Sequence, residues 1–246
     1  MNKVYGIIGY PLTHSFSQKY FSEKFLQEGL SDCRYEVFPL TDINAFPALI
    51  ISQPELLGLS VTIPHKQTVI ALLDHTEGIP SGLHACNCIK LMDGKTYGFN
   101  TDIIGFEGSL VPLLHSGHRN ALVLGNGGAA EAVRFVLDKL GITHTTVSRS
   151  ATAETGLTYA ALDKALIEKN TLIINTTPLG TFPNVEACAA IPYEFLGKQH
   201  LLYDLVYNPA QTLFLEKGAA QGAQTKNGYE MLLIQAEESW RIWNDR

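Results

Sequence analysis

The segment "ALVLGNGGAAEAVRFVLDKLG" (121–141) limits the folds open to this chain more than any other. Four apolar residues, Ala121 to Leu124, run into a glycine-rich turn, and the turn opens a helical stripe that stops at Gly141. A strand feeding a helix in this way crosses back over its own sheet and rejoins it in parallel. The rest of the chain repeats that alternation. Strands are predicted at 4–9, 34–40, 57–63 and 121–124, in "HTTVSRS", "TLIINTT" and "QHLLYDLV", and as a hairpin over 85–99 around "MDGK". Helices are predicted at 17–30, 42–52, 67–74, 101–114, 158–168, 210–221 and 229–244. The pattern predicts an α/β protein with parallel sheets. The polar break "SGHRN" (116–120) suggests two lobes meeting there, and 246 residues suffice for one large domain or two modest ones.

Gly125, Gly127 and Ala130 fit G-x-G-x-x-G/A between a strand and a helix, the context that gives this spacing meaning. The first glycine permits the tight turn, the second lets backbone N–H groups approach a pyrophosphate, and the small third residue lets helix and strand pack closely. The helix start then offers unpaired donors and partial positive charge. The bland alternative is a βα turn with no ligand. The next strand ends in "VSRS", with Arg149 lying 21 residues beyond Gly128 and no carboxylate before Glu154. A guanidinium between Ser148 and Ser150 suits a 2′-phosphate, which favours NADP over NAD; the bland alternative, a solvated loop charge at Arg149, is the weaker reading. A second basic residue nearby is missing.

The totals exclude several classes of partner. Net charge is −6 and the isoelectric point about 5.7, the wrong balance for a nucleic-acid face. No apolar run approaches the roughly 18 residues that span a bilayer, and "MNKVYGIIGYPL" is too short and glycine-broken for a signal peptide. Cys33, Cys86, Cys88 and Cys188 lack redox or zinc spacing and read as free thiols in a cytoplasmic protein. The eight histidines form no metal-spaced cluster, so no metal is expected.

Outside the glycine turn, polar residues collect where strands end. "YPLTHSFS" supplies Ser15 and Ser17, "SVTIPHK" supplies Thr62 and Lys66, "ACNC" supplies Asn87, and "GFNTD" supplies Asn100, Thr101 and Asp102. Each has a bland reading. A serine there would serve as an N-cap, Asn87 would satisfy a turn, Asp102 would cap a helix, and Lys66 would be a surface lysine. Together they lie at the carboxyl ends of successive strands, where α/β sheets bind ligands.

These stretches, with "GNGGAA", "INTTPLG", "YDLVYNPAQTLFL" and "GYEMLLIQAEESW", resemble the shikimate dehydrogenase family over almost the whole chain. The resemblance implies reversible, NADP-linked interconversion of shikimate and 3-dehydroshikimate in the chorismate route to aromatic amino acids. It implies an α/β fold of two lobes: a mostly parallel substrate-binding domain, 1–101 with 229–246, and a Rossmann-type NADP-binding domain, 102–228. Carried over by position, Ser15 and Ser17 would bind the substrate carboxylate, with Tyr207 close by. Thr62, Asn87 and Gln235 would hold the hydroxyls, and Lys66 and Asp102 would be the catalytic pair. Gly125, Asn126, Gly127, Gly128, Ala129, Ser148, Arg149, Thr176, Gly228 and Met231 would bind the cofactor.

The chain departs from the family pattern in three places. Ser60 stands where asparagine is usual, Ile103 follows "NTD" where glycine is usual, and the cofactor loop has one arginine where two are common. A quinate/shikimate dehydrogenase using NAD, a non-catalytic sensor on the same fold, and another two-lobed nicotinamide enzyme such as a methylenetetrahydrofolate dehydrogenase remain the alternatives. A homodimer is one option for the chain's assembly.

Overall fold

The computed structural model of the chain describes residues 2–12, 16–150 and 156–245. The chain forms two compact units, Met1–Thr101 with Ala236–Arg246, and Asp102–Gln235.

The first unit carries β1 (Lys3–Gly9), α1 (Phe16–Gln27), β2 (Cys33–Pro39), α2 (Phe46–Ser52), β3 (Leu56–Val61), β4 (His75–Gly78), β5 (Cys88–Met92) and β6 (Lys95–Phe99). Its sheet runs β2-β1-β3-β5-β6-β4. β1 pairs in parallel with β2 and β3, whereas the hairpin strand β5 is antiparallel to both β3 and β6. One sheet face is covered by aromatic rings. Phe21 and Phe25 of α1 pack with Tyr5, Tyr35 and Trp243, and the Phe21 and Tyr35 rings stack at 4.8 Å.

The second unit carries α3 (Asp102–Leu110), β7 (Asn120–Leu124), α4 (Gly128–Lys139), β8 (Thr143–Ser148), β9 (Leu157–Thr158), α5 (Lys164–Lys169), β10 (Leu172–Asn175), β11 (Leu201–Asp204), α6 (Leu213–Ala220) and β12 (Gln224–Lys226). Its six strands are all parallel, in the order β12-β11-β10-β7-β8-β9. Strands buried on both faces need continuous apolar runs, and β7, β10 and β11 are almost entirely that. α7 (Tyr229–Asn244) closes the chain, with Tyr229–Gln235 in the second unit and the remainder in the first.

The structure corrects several local expectations. The helix expected at 67–74 is a 3₁₀ turn, Thr68–Leu72, followed by β4, whose residues HTEG are too polar to signal a strand. The helix expected at 158–168 splits, because Asp163 accepts the Leu166 N–H at 2.8 Å and starts α5 afresh. The helix expected at 101–114 tightens at Val111–Leu113, where Pro112 offers no N–H. The helix expected at 42–52 begins as a 3₁₀ turn, Ile43–Ala45, and Pro47 sits in the first turn of α2, where a missing N–H costs nothing. The strand expected to reach Ile63 ends at Val61, and "SGHRN" is the approach to β7 inside the second unit.

The aromatic face sets a stability test. Phe21 is 1% exposed at its centre. Phe21→Ala should cost about 3–5 kcal/mol in urea unfolding. A loss below about 1 kcal/mol would contradict the packing described.

Candidate active site

In the first unit the polar residues converge through backbone and side-chain bonds. β3 ends at Val61, whose N–H donates to the Asn87 carbonyl at 2.8 Å, and the next residue, Thr62, donates its N–H to Ile8 at 3.0 Å. The turn carrying Lys66 is closed by His65, which is 4% exposed. Its Nε2 lies 2.7 Å from the Leu40 carbonyl, and its N–H donates to Thr62 at 3.0 Å. The Lys66 carbonyl accepts the Cys86 N–H at 2.7 Å, which leaves the half-buried Lys66 side chain at the end of a pinned loop.

Asn87 occupies the centre of this arrangement. It is 4% exposed, and its N–H donates to Phe99 at 3.1 Å. Its Oδ1 accepts the Thr101 N–H at 2.6 Å, and its Nδ2 donates to Thr101 Oγ1 at 3.0 Å. Thr101 Oγ1 also lies 3.1 Å from Ser239 Oγ on α7. Asp102, 6% exposed, follows Thr101 as the first residue of α3. Ser17 is buried in the first turn of α1, whereas Ser15 lies outside the described residues.

In the second unit Gly125 leaves β7 at φ +111, and a Cβ there would meet Thr176 Oγ1 at 2.7 Å. Thr176 caps the strand end itself, its Oγ1 donating to the Leu124 carbonyl at 2.7 Å. Gly127 is the extended N-cap of α4, with open space where a Cβ would stand. Gly128 and Ala129 follow as the first residues of α4. A phosphate therefore has unobstructed approach to the first N–H groups of the helix. Ser148 Oγ donates to the Ser150 carbonyl at 2.6 Å, shaping the turn on which the exposed Arg149 stands. This donor set fits a dinucleotide bearing a 2′-phosphate. A second guanidinium also reaches the turn: Arg134 Nη1 donates to Asn126 Oδ1 at 2.9 Å. It was missed because it lies inside α4, eight residues beyond Asn126, rather than beside Arg149.

Gly228 and Met231 lie near the start of α7. A Cβ at Gly228 would fall 2.1 Å from the Leu205 carbonyl, so glycine is required there by backbone packing alone. Met231 is 7% exposed and belongs to the core. Tyr207 is half-buried, and burial pushes its phenol pKa up. Gln235 Nε2 donates to Leu232 at 3.0 Å.

Reading the sequence gave no role to Asp204, which is 0% exposed at the end of β11. Its Oδ1 accepts from Asn175 Nδ2 at 2.9 Å and the Val206 N–H at 3.0 Å, and its Oδ2 accepts from Thr212 Oγ1 at 2.5 Å. Asn175 Oδ1 in turn accepts the Thr177 N–H at 3.1 Å. The signal was present: a carboxylate closing the apolar run "LLYD" is out of place unless it has partners.

A parallel sheet with a glycine turn opening a helix in one unit, and hydroxyl, amide and amine groups at the strand ends of the other, define a dinucleotide-dependent α/β oxidoreductase. Residues 7–89 match the family model for the shikimate dehydrogenase substrate binding domain. The chain is 38% identical, over 99% of its length and 90% of the relative's, to the shikimate dehydrogenase (NADP(+)) of Oleidesulfovibrio alaskensis. It superposes on the shikimate dehydrogenase structure from Aquifex aeolicus with a TM-score of 0.87 at 31% identity, covering 99% of this chain and 92% of that one. It superposes on the Thermus thermophilus enzyme in complex with NADP(H) and shikimate with a TM-score of 0.84 at 28% identity, covering 98% and 93%. The chain belongs to the shikimate dehydrogenase family. Among the described residues no three His, Cys, Asp or Glu side chains gather to hold a metal, and no helix is long and apolar enough to cross a membrane.

Asp204 gives the second unit a pH dependence of known sign. Burial pushes its carboxyl up from 3.8 to about 6, while its hydrogen bonds from Thr212, Val206 and Asn175 pull it down. Below about pH 4 the group is protonated whether the chain is folded or not. Between about pH 4 and 6 only the unfolded chain releases the proton, and above that range the folded chain carries a buried anion. The stability from Asp204 is therefore fully present below about pH 4 and is lost as pH rises through about 6, by about 3 kcal/mol. Urea unfolding across this range should show that fall in the native protein and a flatter profile in Asp204→Asn. Equal slopes in the two proteins would contradict the assignment.

Proposed function

We infer that this chain is an NADP-dependent oxidoreductase that reversibly reduces 3-dehydroshikimate to shikimate, in the route to chorismate and the aromatic amino acids. The observation that carries the reading is whole-chain identity to relatives named shikimate dehydrogenase (NADP(+)), together with a glycine turn whose geometry fits a dinucleotide. The four free cysteines support work in the reducing cytoplasm.

Bound NADPH would supply the hydride for the carbonyl carbon; the protein must manage the proton on oxygen. Lys66 and Asp102 are assigned that task as a pair. In the direction of reduction, the Lys66 ammonium stabilises the oxygen as negative charge grows on it and can donate its proton from Nζ. The Asp102 carboxylate orients the lysine and the hydroxyl. Ser15, Ser17 and Tyr207 take the substrate carboxylate, while Thr62, Asn87 and Gln235 take its hydroxyls. Asn87 brings an amide already tied to Thr101, so it presents a fixed group instead of a mobile one. The glycine turn with Thr176, Gly228 and Met231 would hold the dinucleotide, and Arg149 with Ser148 would hold its 2′-phosphate.

The test is steady-state turnover of shikimate and quinate, each with NADP and NAD, followed by absorbance of the reduced cofactor. Shikimate with NADP should be the fastest pair. In Arg149→Ala the Michaelis constant for NADP should rise about tenfold, the value of a charged hydrogen bond, with that for NAD within about twofold. Quinate with NAD matching shikimate with NADP would favour the broader dehydrogenase. No turnover of any pair would leave a ligand sensor, and an equal effect of Arg149→Ala on both cofactors would end the 2′-phosphate assignment.

A further inference from the structure

The aromatic face of the first unit has a polar interruption. Tyr35 of β2 is 5% exposed and packed between Phe21, at 4.8 Å, and Trp243, at 6.4 Å. Its ring belongs to the core, but its hydroxyl does not stay there. Tyr5 of β1 lies opposite both Tyr35 and Gly58, and Ile7 lies opposite Ser60. The phenol therefore crosses the whole of β1 to reach β3, where its O–H donates to Ser60 Oγ at 2.8 Å. Ser17, buried in the first turn of α1, stands four residues before Phe21, the ring on which Tyr35 stacks. Hydroxyls from β2 and β3 thus meet across β1.

A phenol has a single proton to give. Once that proton goes to Ser60 Oγ, Ser60 is held as an acceptor on its buried side, and its own proton is directed away from the core. Ser60 is half-buried and stands two residues before Thr62, on the same side of an extended chain. Burial pushes the Tyr35 pKa upward, so the phenol keeps its proton at any assay pH near neutrality.

We propose that Tyr35 is a positioning residue for the substrate: through its bond to Ser60 it fixes the direction in which the Ser60 hydroxyl is offered to a substrate oxygen. The proposal rests on the substrate reading given above, with Ser17 and Thr62 as neighbouring contacts. Ser60 is then the group that touches substrate, and Tyr35 acts only through it. The pair also gives the serine at position 60 a role of its own. A short hydroxyl freely rotating at a strand end is a poor donor, and the phenol removes that freedom.

Tyr35→Phe keeps the ring and its stacking and deletes only the hydroxyl. The experiment compares the native protein, Tyr35→Phe, Ser60→Ala and the double variant in steady-state kinetics with shikimate and NADP, with urea midpoints alongside. Tyr35→Phe should raise the Michaelis constant for shikimate about five- to tenfold, the value of one oriented neutral hydrogen bond. It should leave kcat and the constant for NADP within about twofold. Ser60→Ala should do the same, and the double variant should be no worse than Ser60→Ala alone. A merely structural phenol would lower the urea midpoint without this split. An unchanged constant for shikimate in Tyr35→Phe, an equal rise for NADP, or effects that multiply in the double variant would overturn the proposal. A native protein that fails to turn over shikimate would remove the activity and the proposal together, a result distinct from a working native protein beside an unaffected Tyr35→Phe.

Discussion

The amide of Asn87 is bonded at both ends to Thr101, and the backbone on either side of that closure carries Lys66 and Asp102, the pair proposed to handle the proton. One residue earlier, Cys86 donates its N–H to the carbonyl of Lys66; one residue after Thr101 stands Asp102. A two-residue stretch entering β5 thus fixes, through backbone on one side and side chain on the other, the chain positions that carry the amine and the acid. Ser239 braces Thr101 from α7, which gives the last helix a part in the same network. Buried polar groups are costly unless satisfied, and these satisfy one another. The arrangement is rigid for that reason, and a rigid frame is what orientation-dependent chemistry needs.

The second unit solves a related problem with a charge. Asp204 gathers Asn175, Val206 and Thr212 around a fully buried carboxyl, tying the end of β10 to the loop after β11. Both units place their polar networks at the carboxyl ends of strands, the edge where sheets of this kind receive ligands. The two differ in cost. The Asn87 network is neutral at every pH of interest, whereas Asp204 is held against desolvation that its three hydrogen bonds only partly offset.

Much of this was legible before any coordinates, and the reasons are specific. β7, the glycine turn and α4 are local features with a fixed period, so a window of twenty residues contains the whole signal. The hairpin of β5 and β6 announces itself through Asp93 and Gly94, both at positive φ in the turn. What could not be read was polar or non-local. β4 and β12 are edge strands whose residues, HTEG and QTK, carry little apolar signal. Asp163 as a helix start looked like one more polar residue inside a helical stripe. Among the polar pairs, Tyr35 meets Ser60 only because β1 lies between their strands in a particular register, and Arg134 meets Asn126 only because its side chain leans back along α4 toward the turn that precedes the helix. Neither pairing has a spacing to search for.

The proposed function turns on Lys66 and Asp102 acting as a pair on one substrate oxygen. The most direct measurement is kcat for shikimate oxidation in Lys66→Ala, Asp102→Ala and the variant carrying both. Residues that share one proton transfer lose its benefit once, so each single change should slow turnover roughly 10²–10⁴-fold and the combined variant should be about as slow as the slower single one. Losses that multiply across the combined variant, or a Lys66→Ala protein with near-native turnover, would contradict the account.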